Sequence, residues 1–315
     1  MPRSCKIVFA YRRGQIHMGG KMMRVDQLSQ MAADMLPSDQ YDVQTAFVPR
    51  EDRRHKVREL IDACRGAVVI FHKSAASNIG PDTRAEIRKV AAGICVDHLD
   101  IVVGPLEKGF FDVHIVASRF AEAELVQNLN GLKPLPGTQV RHLRHHADPR
   151  LGEISAREID NFQLGYFGML ENIADRSAFP DDMSIPDYEP TELDGFLNAL
   201  PKSNLHVTVR KPFPKRSFGI LPTKPFTKGF NAAVVGANVL VNTQVHDATY
   251  YLGEDYPFLI PDPSPNSVRA GIEHAREAFG SAEWQMGLDR MADMRAQVAP
   301  EKVVQELRQI VDLFG

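Results

Sequence analysis

At 315 residues, 43% hydrophobic and 24% charged, the chain has the make-up of an ordinary globular protein, long enough for two domains with a core each. Its net charge of -3 gives no global attraction to nucleic acid or to an anionic membrane, and no apolar run approaches the ~18 residues of a membrane-spanning helix. Cys5, Cys64 and Cys95 are odd in number, far apart and set in apolar runs, and no signal-peptide pattern opens the chain; both features predict free thiols and a cytoplasmic protein.

Lys6 to Ala10 reads as a short apolar strand, after which Met22, Val25, Leu28, Ala32, Met35 and Leu36 recur at helical spacing. Between them, Gly19 and Gly20 let backbone approach a ligand and leave N–H groups pointing outward at a helix start. Tyr41 to Val48 then reads as a strand, Asp52 to Arg65 as a helix with Val57, Leu60, Ile61 and Cys64 inward, and Gly66 to Phe71 as a strand buried on both faces. Pro81 to Ala92 is a predicted helix, Ile94 to Val96 and Val113 to Ala117 strands, Arg119 to Asn130 a helix and Val140 to Leu143 a strand. Strands separated by helices predict parallel β-α-β units in a doubly wound sheet. Ligands of such sheets sit at the carboxyl ends of the strands. That singles out Tyr11 to Gly20, His72 to Ser74, Asp97 to Asp100, Ser118 and His145 to Asp148.

Residues 149–162 are polar, carry Pro149 and Gly152 and show no long apolar period, so they read as a linker between domains at 1–148 and 163–298. The alternation restarts with Leu164 to Gly168, a helix from Leu193 to Leu200 and a strand from Leu205 to Val209. Phe218 to Asn242 organises this half. A strand is expected at Phe218 to Leu221, a helix opened by Pro225 and stopped near Gly236, and a strand at Val239 to Val241. Phe226, Phe230, Ala233 and Val234 form the apolar stripe of that helix, while Lys224, Lys228 and Asn231 lie on its other side. Two lysines beside a helix start suit an anion or phosphate site, although solvated lysines on an exposed face would read the same way. A short helix ends at Leu252 and Gly253, Pro257 to Ile260 is a strand, and helices follow over Val268 to Phe279, Ala282 to Val298 and Glu301 to Phe314.

Four places resemble the glycosyltransferases of the two-Rossmann-domain type, the GT-B fold. Met18 to Arg24 is similar to the glycine loop after the first strand of their N-terminal domain, and Leu164 to Asn172 to the first strand and turn of the C-terminal domain. Lys224 to Lys228 with Asn231 and Gly236 to Val241 looks like the donor-binding helix and its following strand, and Leu252 to Ile260 like the segment that closes the nucleotide site. The resemblance implies an α/β protein of two Rossmann-like domains facing across a cleft, a nucleotide-sugar donor held mainly by the C-terminal domain and a glycan, lipid or protein acceptor met by the other. It implies no cofactor and no obligatory metal, because cationic side chains and a helix N-terminus neutralise the leaving diphosphate. Residues 299–315 would form a last helix crossing back onto the N-terminal domain.

By the same matching, Arg210, Thr223, Lys224, Thr227, Lys228 and Asn231 form the expected donor site. Thr223 and Asn231 stand where many retaining relatives carry a glutamate pair, so the stereochemical outcome is not readable. For the general base of an inverting transfer the sequence offers Asp97, His98 and His17, with Asp100 as the group that orients His98; His114 is a further candidate. The bland alternative is a strand-end turn with solvated carboxylates. Tyr11, Arg12, Arg13 and Lys73 could line an anionic acceptor site, and His142, His145, His146 and Asp148 match no metal spacing. Trp284 with Met286, Leu288 and Met291 fits a helix packed on a core. A sugar-nucleotide epimerase, or a noncatalytic nucleotide-binding or assembly protein, fits the same fold. Peripheral membrane contact stays open, and a nucleic-acid partner is not expected.

Overall fold

A computed structural model describes residues 4–15, 19–100, 109–132, 138–153, 159–186, 193–211 and 223–315. The chain separates into two compact units. The first takes in the described residues up to 145, residues 223–225 and Pro300–Gly315; the second holds the described residues of 146–211 together with Phe226–Ala299.

The first unit is built on six parallel strands, β1 (Cys5–Arg12), β2 (Tyr41–Val48), β3 (Ala67–His72), β4 (Gly93–Asp97), β5 (Val113–Val116) and β6 (Gln139–His142), in the spatial order β2-β1-β3-β4-β5-β6. Side chains alternate across it. Ile7 and Phe9 of β1 join Val25, Leu28 and Met31 on one face, while Val8 and Ala10 join Leu60, Cys64 and Ile87 on the other. The helix after β1 begins as α1 (Gly19–Lys21), widens into a π-helical stretch over Met22–Gln27 and continues as α2 (Leu28–Met35). α3 (Arg54–Cys64) and α4 (Pro81–Val90) supply the opposite layer, and α5 (Arg119–Leu132) follows β5. Every position of β3 is buried, as a strand covered on both faces requires.

The second unit carries a four-stranded parallel sheet in the order β10-β9-β8-β7, made of β7 (Leu164–Gly165), β8 (Leu205–Val207), β9 (Asn238–Asn242) and β10 (Leu259–Ile260). Its helices are α6 (Leu193–Ala199), α7 (Thr227–Val234), α8 (Ala248–Leu252), α9 (Pro265–Ala278) and α10 (Ala282–Gln297). Trp284 sits at 5% exposure among Phe162, Phe258 and Phe279, while Met286, expected beside it in the core, is exposed. α11 (Pro300–Val311) belongs to the first unit, where Val303, Val304, Leu307, Ile310 and Val311 join the core beside α2.

Two expectations change. The strand anticipated at Phe218 to Leu221 lies outside the described residues. The helix expected from Pro225 starts at Thr227, because Phe226 keeps a non-helical backbone (φ -79°, ψ 42°) and turns its buried ring onto Phe230. None of the three cysteines is disulfide-bonded; Cys64 and Cys95 are buried and Cys5 is half-buried. Among the described residues no helix is long and apolar enough to cross a membrane.

Candidate functional site

In the first unit, chemistry gathers at the carboxyl ends of β3 and β4. Lys73, directly beyond β3, and Leu99, two residues beyond β4, adopt left-handed backbone (φ 48° and 56°), a conformation that costs a non-glycine residue energy and recurs at ligand sites. Gly20 lies against this ridge. A Cβ there would stand 2.8 Å from Leu99 Cδ2, 3.5 Å from Lys73 Nζ and 3.6 Å from His72 Nε2, so no side chain fits without displacing Leu99. Gly19 and Gly20 thus open α1 directly over the strand ends, while His17, which precedes them, lies outside the described residues.

The turn after β4 places its acids in different surroundings. Asp97 is 2% exposed, accepts from Arg24 Nε at 2.7 Å and takes the Leu99 N–H at 3.1 Å. Burial alone would raise its pKa, but the Arg24 guanidinium and that N–H outweigh burial and hold the carboxyl below its usual range. Arg24 is 1% exposed and also donates to the Arg144 carbonyl at 2.9 Å. His98 is 2% exposed, and its Nε2 lies 2.8 Å from Nδ1 of His114, one nitrogen donating and the other accepting. Burial, with His114 beside it, drives the His98 pKa down to about 3, and burial takes His114 to about 4. Both rings are therefore neutral at pH 7.

The expected pairing of Asp100 with His98 is corrected here. Asp100 turns instead to two lysines: Lys73 Nζ is 2.6 Å from Oδ1 and Lys224 Nζ 3.8 Å from Oδ2. The Thr223 N–H donates to the Asp100 carbonyl at 3.1 Å. Thr223 and Lys224 thus join the first unit, whereas Thr227, Lys228 and Asn231 stand on α7 in the second. The two lysines that sequence places beside one helix start therefore have different surroundings.

In the second unit Lys228 is held at Tyr166, just beyond β7. The tyrosine is fully buried, its hydroxyl donates to the Met169 carbonyl at 2.8 Å, and burial pushes its pKa up to about 12. Lys228 Nζ lies 3.9 Å from the centre of its ring, a cation–π contact. Gly168 leaves room for that ammonium, since a Cβ would fall 2.7 Å from Lys228 Nζ. Arg210 follows β8; its N–H donates to Asn242 Oδ1 at 2.9 Å, and its carbonyl accepts from Asn242 Nδ2 at 3.1 Å. Its positive charge reaches both Tyr166 and His246, whose pKa falls to about 4, mainly through burial. Asn231 Oδ1 is taken by the Asp148 N–H at 3.0 Å, so this oxygen organises its own unit. Thr227 is the first residue of α7.

Arg24 and Glu306 are the groups that sequence reasoning passed over. Arg24 lies on the same stripe as Leu28, Met31 and Met35, and a cation on an apolar stripe signals a buried partner. Glu306 accepts from the Arg144 N–H at 2.8 Å and from its guanidinium at 2.6 and 2.8 Å, a pairing across 162 residues with no local signal. Among the described residues no group of three or more histidines, cysteines or acids could hold a metal ion.

No family model matches the sequence, and no curated protein matches it either. Solved structures do. A glycosyltransferase from Rickettsia africae superposes with a TM-score of 0.67 at 8% identity, covering 99% of each chain. Anabaena HepE, crystallised in complex with UDP, superposes with a TM-score of 0.61 at 10% identity over 98% of this chain and 99% of its own. Sucrose-phosphate synthase from Thermosynechococcus elongatus gives 0.58 at 11% identity over 98% of each chain. At these identities the likeness is one of fold, and the fold is the two-Rossmann-unit GT-B architecture of glycosyltransferases.

Proposed function

We propose that this protein is a glycosyltransferase that takes a sugar from a nucleoside diphosphate sugar, with residues 163–298 as the donor side and 1–148 as the acceptor side. Lys228 and Arg210 neutralise the leaving diphosphate, so the reaction needs no metal ion; such preset charge acts where negative charge develops in the transition state. The observation that carries the reading is Lys228, whose ammonium rests on Tyr166 beside the bare backbone of Gly168. The ring and the glycine hold this cation in one place, and a fixed positive charge is what neutralising a leaving diphosphate demands. The UDP present in the HepE crystals makes a uridine nucleotide the first donor to try.

In this reading Asp97 and His98 are positioning residues, because Arg24 and His114 already engage them. Asp100, ion-paired to Lys73 but with its side chain 18% exposed, is the more accessible carboxylate of this turn and the one we assign to the acceptor hydroxyl.

The test is calorimetric titration of the wild-type chain and Lys228→Ala with UDP, and with GDP, ADP, TDP and CMP as comparison. A charge-assisted contact contributes about 1.5–3 kcal/mol, so Lys228→Ala should weaken binding of the preferred diphosphate about 10- to 100-fold with an unchanged far-ultraviolet CD spectrum. Equal affinity in a folded variant would remove the donor site from this place.

A further inference from the structure

We infer that the first unit holds a second anion site, built for a phosphorylated ligand, at the carboxyl ends of β1 and β2. A cavity of about 780 Å³ opens there, and five cationic side chains line it: Arg12 and Arg13 beyond β1, Arg50 and Arg53 beyond β2, and Lys56 in the first turn of α3. The lining contains no carboxylate; Phe47 and Asn78 provide an apolar wall and an amide. On a chain of net charge -3 this concentration is local and not a reflection of composition.

The surrounding structure fixes the turn that carries two of these groups, while Arg50, Arg53 and Lys56 are exposed. Gln15 is 1% exposed, accepts the Arg12 N–H at 3.0 Å and donates to the His72 carbonyl at 3.1 Å, which holds the turn that carries Arg12 and Arg13. The Arg12 Nε is itself buried without a hydrogen-bond acceptor. Glu51 is occupied elsewhere, accepting from the Gly80 N–H and the Thr83 hydroxyl, whereas Glu59, outside the lining, pairs with Lys56, so the four arginines carry the uncompensated charge of the lining.

The start of α3 supplies the independent argument. Helix N-termini favour acids, because their free N–H groups carry positive partial charge. Here the first turn has no acid, and Arg53, Arg54, His55 and Lys56 occupy it, with no side-chain cap. Basic residues at the positive end of a helix are mildly unfavourable, and although Glu59 offsets His55 and Lys56, nothing in the first turn offsets Arg53 and Arg54; sites that break a local rule in this way are commonly functional. Guanidinium groups favour phosphate through paired N–H donors, and the cavity has room for an organic group beyond the charge.

The ligand class is therefore a phosphate ester or diphosphate with a small polar body. Its role as the acceptor rests on the glycosyltransferase reading, whereas its binding does not.

A crossed titration separates the two. Pyrophosphate and a hexose 6-phosphate, with the unphosphorylated hexose as control, are titrated into the full chain, Arg50→Gln/Arg53→Gln and Lys228→Ala at one ionic strength. We expect the double variant to lose about tenfold or more in affinity for the hexose 6-phosphate and one of two pyrophosphate sites while keeping its affinity for UDP, and Lys228→Ala to keep the hexose 6-phosphate and lose UDP; each contact of 1.4 kcal/mol is a factor of about ten. A thermal scan adds a readout that a merely structural role would not give. Without phosphate the double variant should melt no lower than wild type, since it relieves crowding at α3, and only wild type should gain stability when phosphate is added. Phosphate affinities unchanged in the double variant would overturn the site even if UDP binding behaves as proposed. Binding to vesicles bearing a phosphoinositide, with no binding of the soluble esters, would overturn the soluble ligand in favour of a lipid headgroup.

Discussion

Buried imidazoles give the first unit a pH dependence that can be read residue by residue. His98 titrates near 3, His114 and His72 near 4 and His142 near 3 in the folded chain, burial being the largest cause in each case. In an unfolded chain each would titrate near its ordinary value of about 6.5. Between about pH 6.5 and 4 the unfolded state therefore binds more protons than the folded state, so stability is complete above this window and falls as pH falls through it. Each fully shifted histidine contributes a slope of up to about 1.4 kcal/mol per pH unit. The depressed carboxyl of Asp97 adds its loss only below about pH 4, in the same direction. Urea midpoints at pH 7, 6 and 5 should drop steadily, and His114→Phe, which removes one titrating ring and one partner of His98, should flatten the drop. A midpoint constant across this range would mean that these rings are not buried and neutral.

At the scale of elements, α11 acts as a tie. Glu306 on this helix accepts three hydrogen bonds from Arg144, whose carbonyl accepts from Arg24, which in turn holds Asp97 at the end of β4. The link ties a surface helix to the strand end that carries the candidate site. Burial raises the Glu306 pKa, but the paired Arg144 outweighs it and keeps the carboxyl ionised below its usual range. Glu306→Ala leaves the Arg144 N–H and guanidinium without this acceptor, a loss of about 1–3 kcal/mol. Differential scanning calorimetry should record a Tm lower by several degrees, with Glu306→Gln losing less. Much of the element plan was legible: β2 begins and ends where its apolar and β-branched run does, β3 reads as one buried run, and Val303, Val304, Leu307, Ile310 and Val311 make the stripe that α11 buries. The site was less so. Lys73, Asp100 and Lys224 meet from three distant stretches, and His98 pairs with His114 across neighbouring strands, so nothing within a sequence window signals either contact. α7 starts two residues after Pro225, which suits a first helical position, because Phe226 has a non-helical backbone and packs its ring against Phe230.

At the scale of the whole molecule the question is where a chain with 37 basic and 40 acidic residues finds the positive charge to hold a diphosphate. The sum offers none, so attraction must come from short-range clusters, and such clusters leave a particular signature. Arg210 and Lys228 are partly exposed to solvent, where salt screens charge over about 8–10 Å at ordinary ionic strength. Nucleotide affinity should therefore weaken several-fold as salt rises from about 0.05 to 0.5 M, while a site that gripped the base and sugar alone would show little change. A metal-bridged diphosphate would behave differently, because its affinity would collapse on chelation whatever the salt. Titration of UDP into the full chain with magnesium, and again with EDTA, should give the same Kd within about twofold at each salt concentration. A loss of tenfold or more under EDTA would transfer the neutralising role from Lys228 and Arg210 to a bound cation, and the catalytic charge of this glycosyltransferase reading would then have to be sought in an acid cluster instead of at Tyr166 and Gly168.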